Sequence, residues 1–344
     1  MINILLTEGC STQCDLIKNI KAADFFNRTN VFAIENSYRV DVFKYADFFE
    51  VIPCRELIGD VEYIQKYLEY IAEHNINVVM VGDHRQLFEE FRTRFESLGV
   101  ILFNGLVGLE IHKSVQQKSE FISICESNGI AVLPGHLFSS QIEFEALYSA
   151  MKKEHSCLYV EPADTCTQGA VIKLDERVSL FEALSLKSVV NPSDFAESYG
   201  KHSEKPNYLI RPLGTDGECY VDAACFKGEI LLGIARSNLG DLTCLIEVDH
   251  PSIKVATQLI EQFQCDGLIS LKFVQDKLGA WVVSDIDFQT NGSMFYAVAS
   301  GFNLVGLLLA RVADELDQKT FMNGRKWKQN KAVVKISTTA DLID

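Results

Sequence analysis

No stretch of this 344-residue chain approaches the roughly 18 consecutive apolar residues a bilayer-spanning helix needs, so no such helix is expected. The opening MINILLTEGC lacks the basic start and long apolar core of an export signal and reads as a buried strand entering a turn. A cytoplasmic location is therefore expected. Positive charge is also scarce. Against 47 Asp and Glu stand 32 Lys and Arg, a net charge of −15 that argues against a nucleic-acid or anionic-membrane surface. A local basic pocket for phosphates remains open. The ten cysteines, at 10, 14, 54, 125, 157, 166, 219, 225, 244 and 265, include no CxxC pair. With no export signal, buried free thiols account for them better than disulfides or a metal cluster. There is neither an internal repeat nor a low-complexity segment.

What is present is ordinary globular composition, 47% hydrophobic and 23% charged, in a chain long enough for two or three domains. Over the first ~105 residues short apolar runs alternate with amphipathic segments, as in a parallel α/β unit. Strands are expected at 2–6, 31–34, 48–52, 78–81 and 100–103. Helices are expected at 16–23, 63–73 and 87–98, the second with Ile64, Leu68 and Ile71 on one face. From Lys118 the pattern changes. A helix over 118–128 stopped by Gly129 precedes 130–133, then a helix over 143–151 and a strand over 157–160. A small-residue loop follows, Ala163 to Gly169. The polar stretch 192–206 reads as a surface connection. Strands follow at 208–210, 219–226 and 230–235, then a hairpin of 268–274 and 280–286, and a last helix over about 303–316.

The order of these elements resembles the ATP-grasp superfamily, in the branch like the large subunit of carbamoyl-phosphate synthetase, over roughly residues 1–320. The segment Ala46-Asp47-Phe48-Phe49-Glu50-Val51-Ile52-Pro53, the following helix and the strand ending Gly82-Asp83 are similar to that branch's pre-grasp domain. The resemblance implies an α/β and α+β fold, with a Rossmann-like domain (1–106) before a two-lobed ATP-grasp fold. Its N-lobe is placed at 107–205, its C-lobe at 206–325, and a tail at 326–344. It also implies a nucleotide cleft between two lobes, lined by Lys118, Glu218 and Asp285.

The resemblance carries site residues across one by one. Lys118 opens a helix eleven residues before Gly129-Ile130, with Pro134 beyond, as the family's first ATP lysine does. Where the family has a strand ending Lys-Pro, this chain has Val160-Glu161-Pro162, then Thr165, Thr167, Gln168 and Gly169 in the loop expected to close on phosphates. Glu161 there would repel a triphosphate unless a cation intervened. Arg211 stands for the family's first hinge acid. Glu218 falls where the family grips a ribose hydroxyl, an exposed strand Glu being the alternative. Asp285-Ile286-Asp287-Phe288-Gln289-Thr290-Asn291-Gly292-Ser293 resembles the family's metal strand, and period-two geometry places Asp285 and Asp287 on one face as magnesium ligands. Lys272 occupies the place of a further metal ligand, beside Asp285 or reaching phosphate. Arg236 lies near where related enzymes set an arginine against phosphate, a surface salt bridge being the alternative. His112, His136, His202 and His250 fall in expected loops without triad context, so no chemistry is assigned to them.

The implied activity is an ATP- and magnesium-dependent carboxylate–amine ligase working through an acyl phosphate, with Arg236 and Lys272 in catalytic roles. Its partners would be small-molecule acids and amines; nucleic acid and membrane are excluded, and a homodimer is compatible. The charge changes at Glu161, Arg211 and Lys272 keep two alternatives open. One is a degenerate ATP-grasp protein with a binding or regulatory role. The other is a different nucleotide-dependent kinase or transferase.

Overall fold

The computed structural model describes residues 2–9, 13–23, 29–164, 171–186, 188–204, 206–214, 217–240, 243–288, 294–313 and 331–334. By compactness the chain divides into one unit of residues 1–111, 218–273 and 285–344, and a second of 112–217 and 274–284.

The first unit begins with β1 (Ile2–Leu6), α1 (Gln13–Lys21), β2 (Thr29–Glu35), α2 (Val40–Phe43), β3 (Phe48–Val51), α3 (Arg55–Ile58), α4 (Asp60–His74), β4 (Val78–Met80), α5 (Arg85–Glu90), α6 (Arg92–Ser97) and β5 (Ile101–Phe103). The strands form a parallel sheet in the order β3-β2-β1-β4-β5. Helix α4 buries Tyr63, Ile64, Tyr67, Leu68, Tyr70 and Ile71, and Asn75 in a left-handed conformation ends it. Each such side chain stabilises the fold by about 1.5–3 kcal/mol relative to exposure. The single helix expected at 87–98 is two, because Phe91 leaves helical geometry at φ −105° and ψ 10°. Around that break buried Glu89 accepts bonds from Arg92 Nε at 2.7 Å, Asn104 Nδ2 at 3.0 Å and Gly108 N at 2.7 Å.

The second unit contains α7 (Leu109–Gln116, which starts just before it), α8 (Lys118–Ser127), β6 (His136–Phe138), α9 (Gln141–Met151), β7 (Leu158–Pro162), β8 (Ile172–Leu174), α10 (Leu180–Leu186), β9 (Val189–Val190), α11 (Pro192–Lys201) and β10 (Tyr208–Pro212). Its sheet runs β6-β10-β7-β8-β9. Phe138, Phe144, Leu158, Val160, Ala196, Tyr199 and Ile210 make its core. Much of the surface connection expected at 192–206 is therefore helix. Asn191 caps it by accepting from Ser193 N, Pro192 sits at its first turn, and Ala196 and Tyr199 are buried. The polar composition of its outer face hid that sparse apolar stripe.

The first unit resumes with β11 (Glu218–Phe226), β12 (Glu229–Gly240), β13 (Thr243–Glu247), α12 (Ser252–Gln262), β14 (Gly267–Gln275), β15 (Trp281–Asp287), α13 (Met294–Ala299), α14 (Leu304–Val312) and β16 (Lys331–Val334). These strands order as β15-β14-β11-β12-β13-β16, with β14 and β15 neighbours as the expected hairpin requires. One core spans this sheet and the parallel one. It holds Ile4, Val31 and Val78 together with Ala224, Ile234 and Leu268, and with Leu304, Val305, Leu308 and Leu309 of α14.

Eight cysteines fall within the described residues and all are free. Cys14, Cys125, Cys219, Cys225, Cys244 and Cys265 are buried, and Cys54 and Cys157 partly so. Cys10 and Cys166 lie outside the described residues.

Candidate functional site

In the second unit, β7 and β10 run antiparallel, with Leu209 opposite Glu161 and Arg211 opposite Tyr159. Glu161 and Arg211 are thus diagonal neighbours on one face, close enough for long side chains to meet. They do meet. Arg211 Nη1 donates to Glu161 Oε1 at 2.8 Å and to the Ser284 carbonyl at 3.0 Å, and Nη2 to the Leu133 carbonyl at 2.9 Å. Lys118 Nζ lies 2.5 Å from the other oxygen, Glu161 Oε2. Burial pushes the Glu161 carboxyl up, but Arg211 and Lys118 together outweigh it and hold the pKa below the usual range. The expected clash of Glu161 with an anion is thereby met by two cations, leaving one net positive charge.

The backbone ties the same residues together. Lys118 N donates to the Ala163 carbonyl at 2.9 Å, and Gln117 bridges to Asp164. The first turn of α8 is thus fastened to the chain that leads into 163–169. Arg211 is 2% exposed, so its guanidinium is spent inside the unit. Thr165, Thr167, Gln168 and Gly169, expected in the phosphate loop, lie outside the described residues.

In the first unit, Glu218, Tyr220 and Asp222 alternate along one face of β11. Glu218 is exposed, and its Oε2 lies 2.8 Å from Lys272 Nζ of neighbouring β14. The Lys272 ammonium also stands 5.8 Å from the Tyr220 ring centre. Burial would lower the Lys272 pKa, but the bond to Glu218 and the Tyr220 hydroxyl outweigh it and the net shift is upward. Arg236 is buried. Its Nε reaches Asp222 Oδ2 at 3.3 Å, and its guanidinium is 4.6 Å from the Tyr220 ring centre and 5.8 Å from that of Tyr296. Asp222 Oδ1 accepts from Ser270 Oγ at 2.7 Å. The surface salt bridge allowed for Arg236 is therefore a buried one. Sequence reasoning gave Asp222 and Ser270 no role, although the alternation with Glu218 was there to read.

Asp285, partly buried, and Asp287, exposed, close β15 on one face, and Asp285 Oδ1 accepts from Ile286 N at 2.9 Å. Gln289 and Asn291 to Ser293 lie outside the described residues. Among the described residues no three His, Cys, Asp or Glu are grouped as an all-protein metal site requires. The donor set fits magnesium differently. That ion takes one or two carboxylates and completes its shell with phosphate oxygens and water.

Of the four histidines expected in loops, two lie in regular elements and two do not. His112 lies in α7 and His136 in β6, while His202 follows α11 and His250 precedes α12. His250 Nδ1 is 2.7 Å from Ser252 Oγ, which in turn is 3.5 Å from Cys219 Sγ. Ser252 and Cys219 are fully buried, and burial drives the thiol up to about 11, away from the thiolate.

The fold is that of the ATP-grasp proteins. Residues 204–338 match the family described as ATP-grasp in the biosynthetic pathway with Ter operon. Among solved structures, the L-amino acid ligase from Bacillus licheniformis superposes with a TM-score of 0.63 at 13% identity, over 96% of this chain and 78% of that one. Phosphoribosylglycinamide synthetase from Anaerococcus prevotii gives 0.63 at 11% identity, over 96% and 79%. N5-carboxyaminoimidazole synthetase from Staphylococcus aureus, complexed with ADP, gives 0.62 at 10% identity, over 90% and 76%. At such identities the likeness is one of fold. No curated protein sequence matches the chain.

Proposed function

We propose that this chain is an ATP-dependent ligase that joins a small carboxylic acid to an amine through an acyl phosphate. Support comes from the ATP-grasp fold and from the family match over 204–338. It comes also from neighbours named as ligase and synthetases, one complexed with ADP. The observation that carries it furthest is Lys118. Its ammonium is fixed by Glu161 and its backbone by Ala163, at the entrance to the loop proposed to take phosphates.

In this reading Lys118 neutralises phosphate oxygens, and Arg211 keeps Glu161 ionised so that Lys118 stays oriented. Glu218 accepts from a ribose hydroxyl, and Lys272 and Arg236 stabilise negative charge on the transferred phosphoryl group. Asp285 and Asp287 hold magnesium, which when bound supplies charge neutralisation at the phosphates. The γ-phosphoryl group passes to a carboxylate oxygen and ADP leaves. The amine lone pair then forms the C–N bond, the C–O bond to phosphate breaks, and the nitrogen proton passes to solvent or phosphate. Positioning and charge stabilisation suffice, with no protein nucleophile.

A second reading has its own observation. The Lys272–Glu218 pair occupies the carboxylate assigned to ribose, as expected of a degenerate binding protein. Calorimetry with MgATP, followed by hydroxylamine trapping of acyl phosphates across a pool of small acids, separates the two. Trapped hydroxamate with matched ADP release is expected. Nucleotide binding without any hydroxamate, or no nucleotide binding at millimolar concentration, favours the degenerate protein.

A further inference from the structure

Strand β3 lies at one side of the parallel sheet, and among the described residues it pairs only with β2, from Phe32 opposite Phe48 to Glu35 opposite Val51. Its outer edge therefore carries unpaired N–H and C=O groups. Natural sheets shield such an edge with charged side chains, proline or a bulge. Within β3 only Glu50 is charged, and its register has no bulge. The edge is otherwise apolar. Phe48 and Phe49 are each 48% exposed and Val51 45%. Phe48 stacks on Phe32 at 4.6 Å, which in turn meets Tyr70 of α4. Phe49 faces the other way, stacked on Phe43 at 4.1 Å and edge-on to Tyr38 at 6.2 Å.

The stacks already hold these rings in place, so covering them loses little side-chain entropy. Their area decides what can cover them. Tyr38, Phe48 and Phe49, rings of about 150–250 Å² each, together leave about 250–400 Å² in water at the exposures found. That is already in the range of the largest apolar patch on a typical monomer, about 300–600 Å². Counted on two copies, with Val40, Val51 and the main chain of β3 added, it approaches the roughly 1,200 Å² at which stable interfaces begin.

Charge bears on the choice of occupant. With a net charge of −15, two copies repel unless they meet where charge is neutralised. Around β3 it is. Asp47 accepts from Lys21 Nζ at 2.7 Å and from Val31 N at 2.9 Å, Arg39 pairs with Asp41 at 2.7 Å, and Arg55 with Asp60 at 2.6 Å. A four-residue strand alone offers a foreign strand little, whereas a second copy brings a matching aromatic patch with its edge. We propose that two copies of this chain associate through β3, antiparallel about a two-fold axis at Phe49, joining their parallel sheets edge to edge. The axis sets Phe49 against Phe49 of the partner subunit, an aromatic cross-strand pair. Glu50 then falls opposite Phe48 of the partner subunit, away from a directly opposed like charge. This association does not depend on the ligase reading.

Sedimentation equilibrium of the full chain at micromolar concentration is expected to give a dimer. Phe49→Lys and Phe49→Glu each place two like charges at the axis and should weaken association by about tenfold or more. Because the axis sets position 49 against itself, mixing the two variants should restore a dimer that neither forms alone. Circular dichroism checks that each variant is folded. Val51→Lys replaces one that is not, with the same loss of association expected. Wild type that stays monomeric, as it would with another part of the chain or a different protein over β3, overturns the proposal. So does a dimer untouched by the folded variants, or a mixture of the two Phe49 variants that stays monomeric.

Discussion

The Lys118 ammonium and the Glu161 carboxylate lie 2.5 Å apart, and Arg211 reaches the same carboxylate at 2.8 Å from the adjoining strand. The resemblance read from the sequence puts a lysine where Glu161 stands and an acid where Arg211 stands. In this chain the two side chains form one ion pair across neighbouring strands. Glu161→Lys alone should cost about 3–5 kcal/mol, because it leaves Arg211 buried against a like charge. Arg211→Glu should cost as much. The double reversal should recover about 1–3 kcal/mol relative to the sum of the single effects. Urea unfolding of the four proteins checks this, and strict additivity would show that the pair contributes no coupling.

Stability should depend on pH through Glu35. Its folded-state pKa is raised from 4.5 to about 7, so the folded chain holds a proton that the unfolded chain has already released between those values. Stability is then full below the unfolded pKa and falls as pH rises through the folded one. Glu35→Gln, which has no carboxylate to ionise, should match wild type near pH 5 and be more stable near pH 8 by about 1–2 kcal/mol, allowing for solvent screening. Denaturation at both values reads the difference. A variant less stable than wild type near pH 8 contradicts the assignment.

Asp222 and Arg236 give a contrasting case, in which removing one partner strands the other. Asp222→Ala should destabilise the chain by about 3–5 kcal/mol, since the Arg236 guanidinium stays buried beside Tyr220 without its carboxylate. Arg236→Lys keeps the charge but loses the planar contact with Tyr220 and Tyr296, and should cost about 1–2 kcal/mol. Thermal melts of both variants decide it. A near-neutral Asp222→Ala would mean that Arg236 finds solvent.

How much of this was legible in the sequence differs by element. The five strands of the parallel sheet stand out because each is a short apolar run bounded by polar turns, and β14 with β15 because a five-residue turn separates them. Helix α11 did not stand out, since its core contact rests on Pro192, Ala196 and Tyr199 within a polar segment. Glu161 and Arg211 were each visible as charged residues at strand ends. Their pairing was not, because it depends on the register between β7 and β10, two segments far apart in the chain. Lys272 was read against Asp285 and Asp287 across the hairpin, whereas β14 also neighbours β11, and Glu218 lies on that side.

That second neighbour sharpens the test of Lys272. Its pair with Glu218, at 2.8 Å, is partly solvated, with side-chain exposures of 36% and 45%. Such a pair contributes about 0–1 kcal/mol, so Lys272→Glu should change stability little despite placing two carboxylates together. Its effect on ligands should be larger. Where Lys272 serves phosphate, the substitution removes one charge-assisted contact and adds a repulsive carboxylate. That loss is about 1.5–3 kcal/mol, or roughly a ten- to hundredfold weaker MgATP affinity. Where Lys272 instead neutralises Asp285 and Asp287, the same substitution should tighten magnesium binding and leave nucleotide affinity alone. Glu218→Gln separates a side effect of breaking the pair, because it releases Lys272 without adding negative charge and should weaken MgATP less than Lys272→Glu does. Titrations of MgATP and of magnesium alone into the three proteins give the answer. The proposed ligase requires the first to weaken in Lys272→Glu and the second to stay where it was.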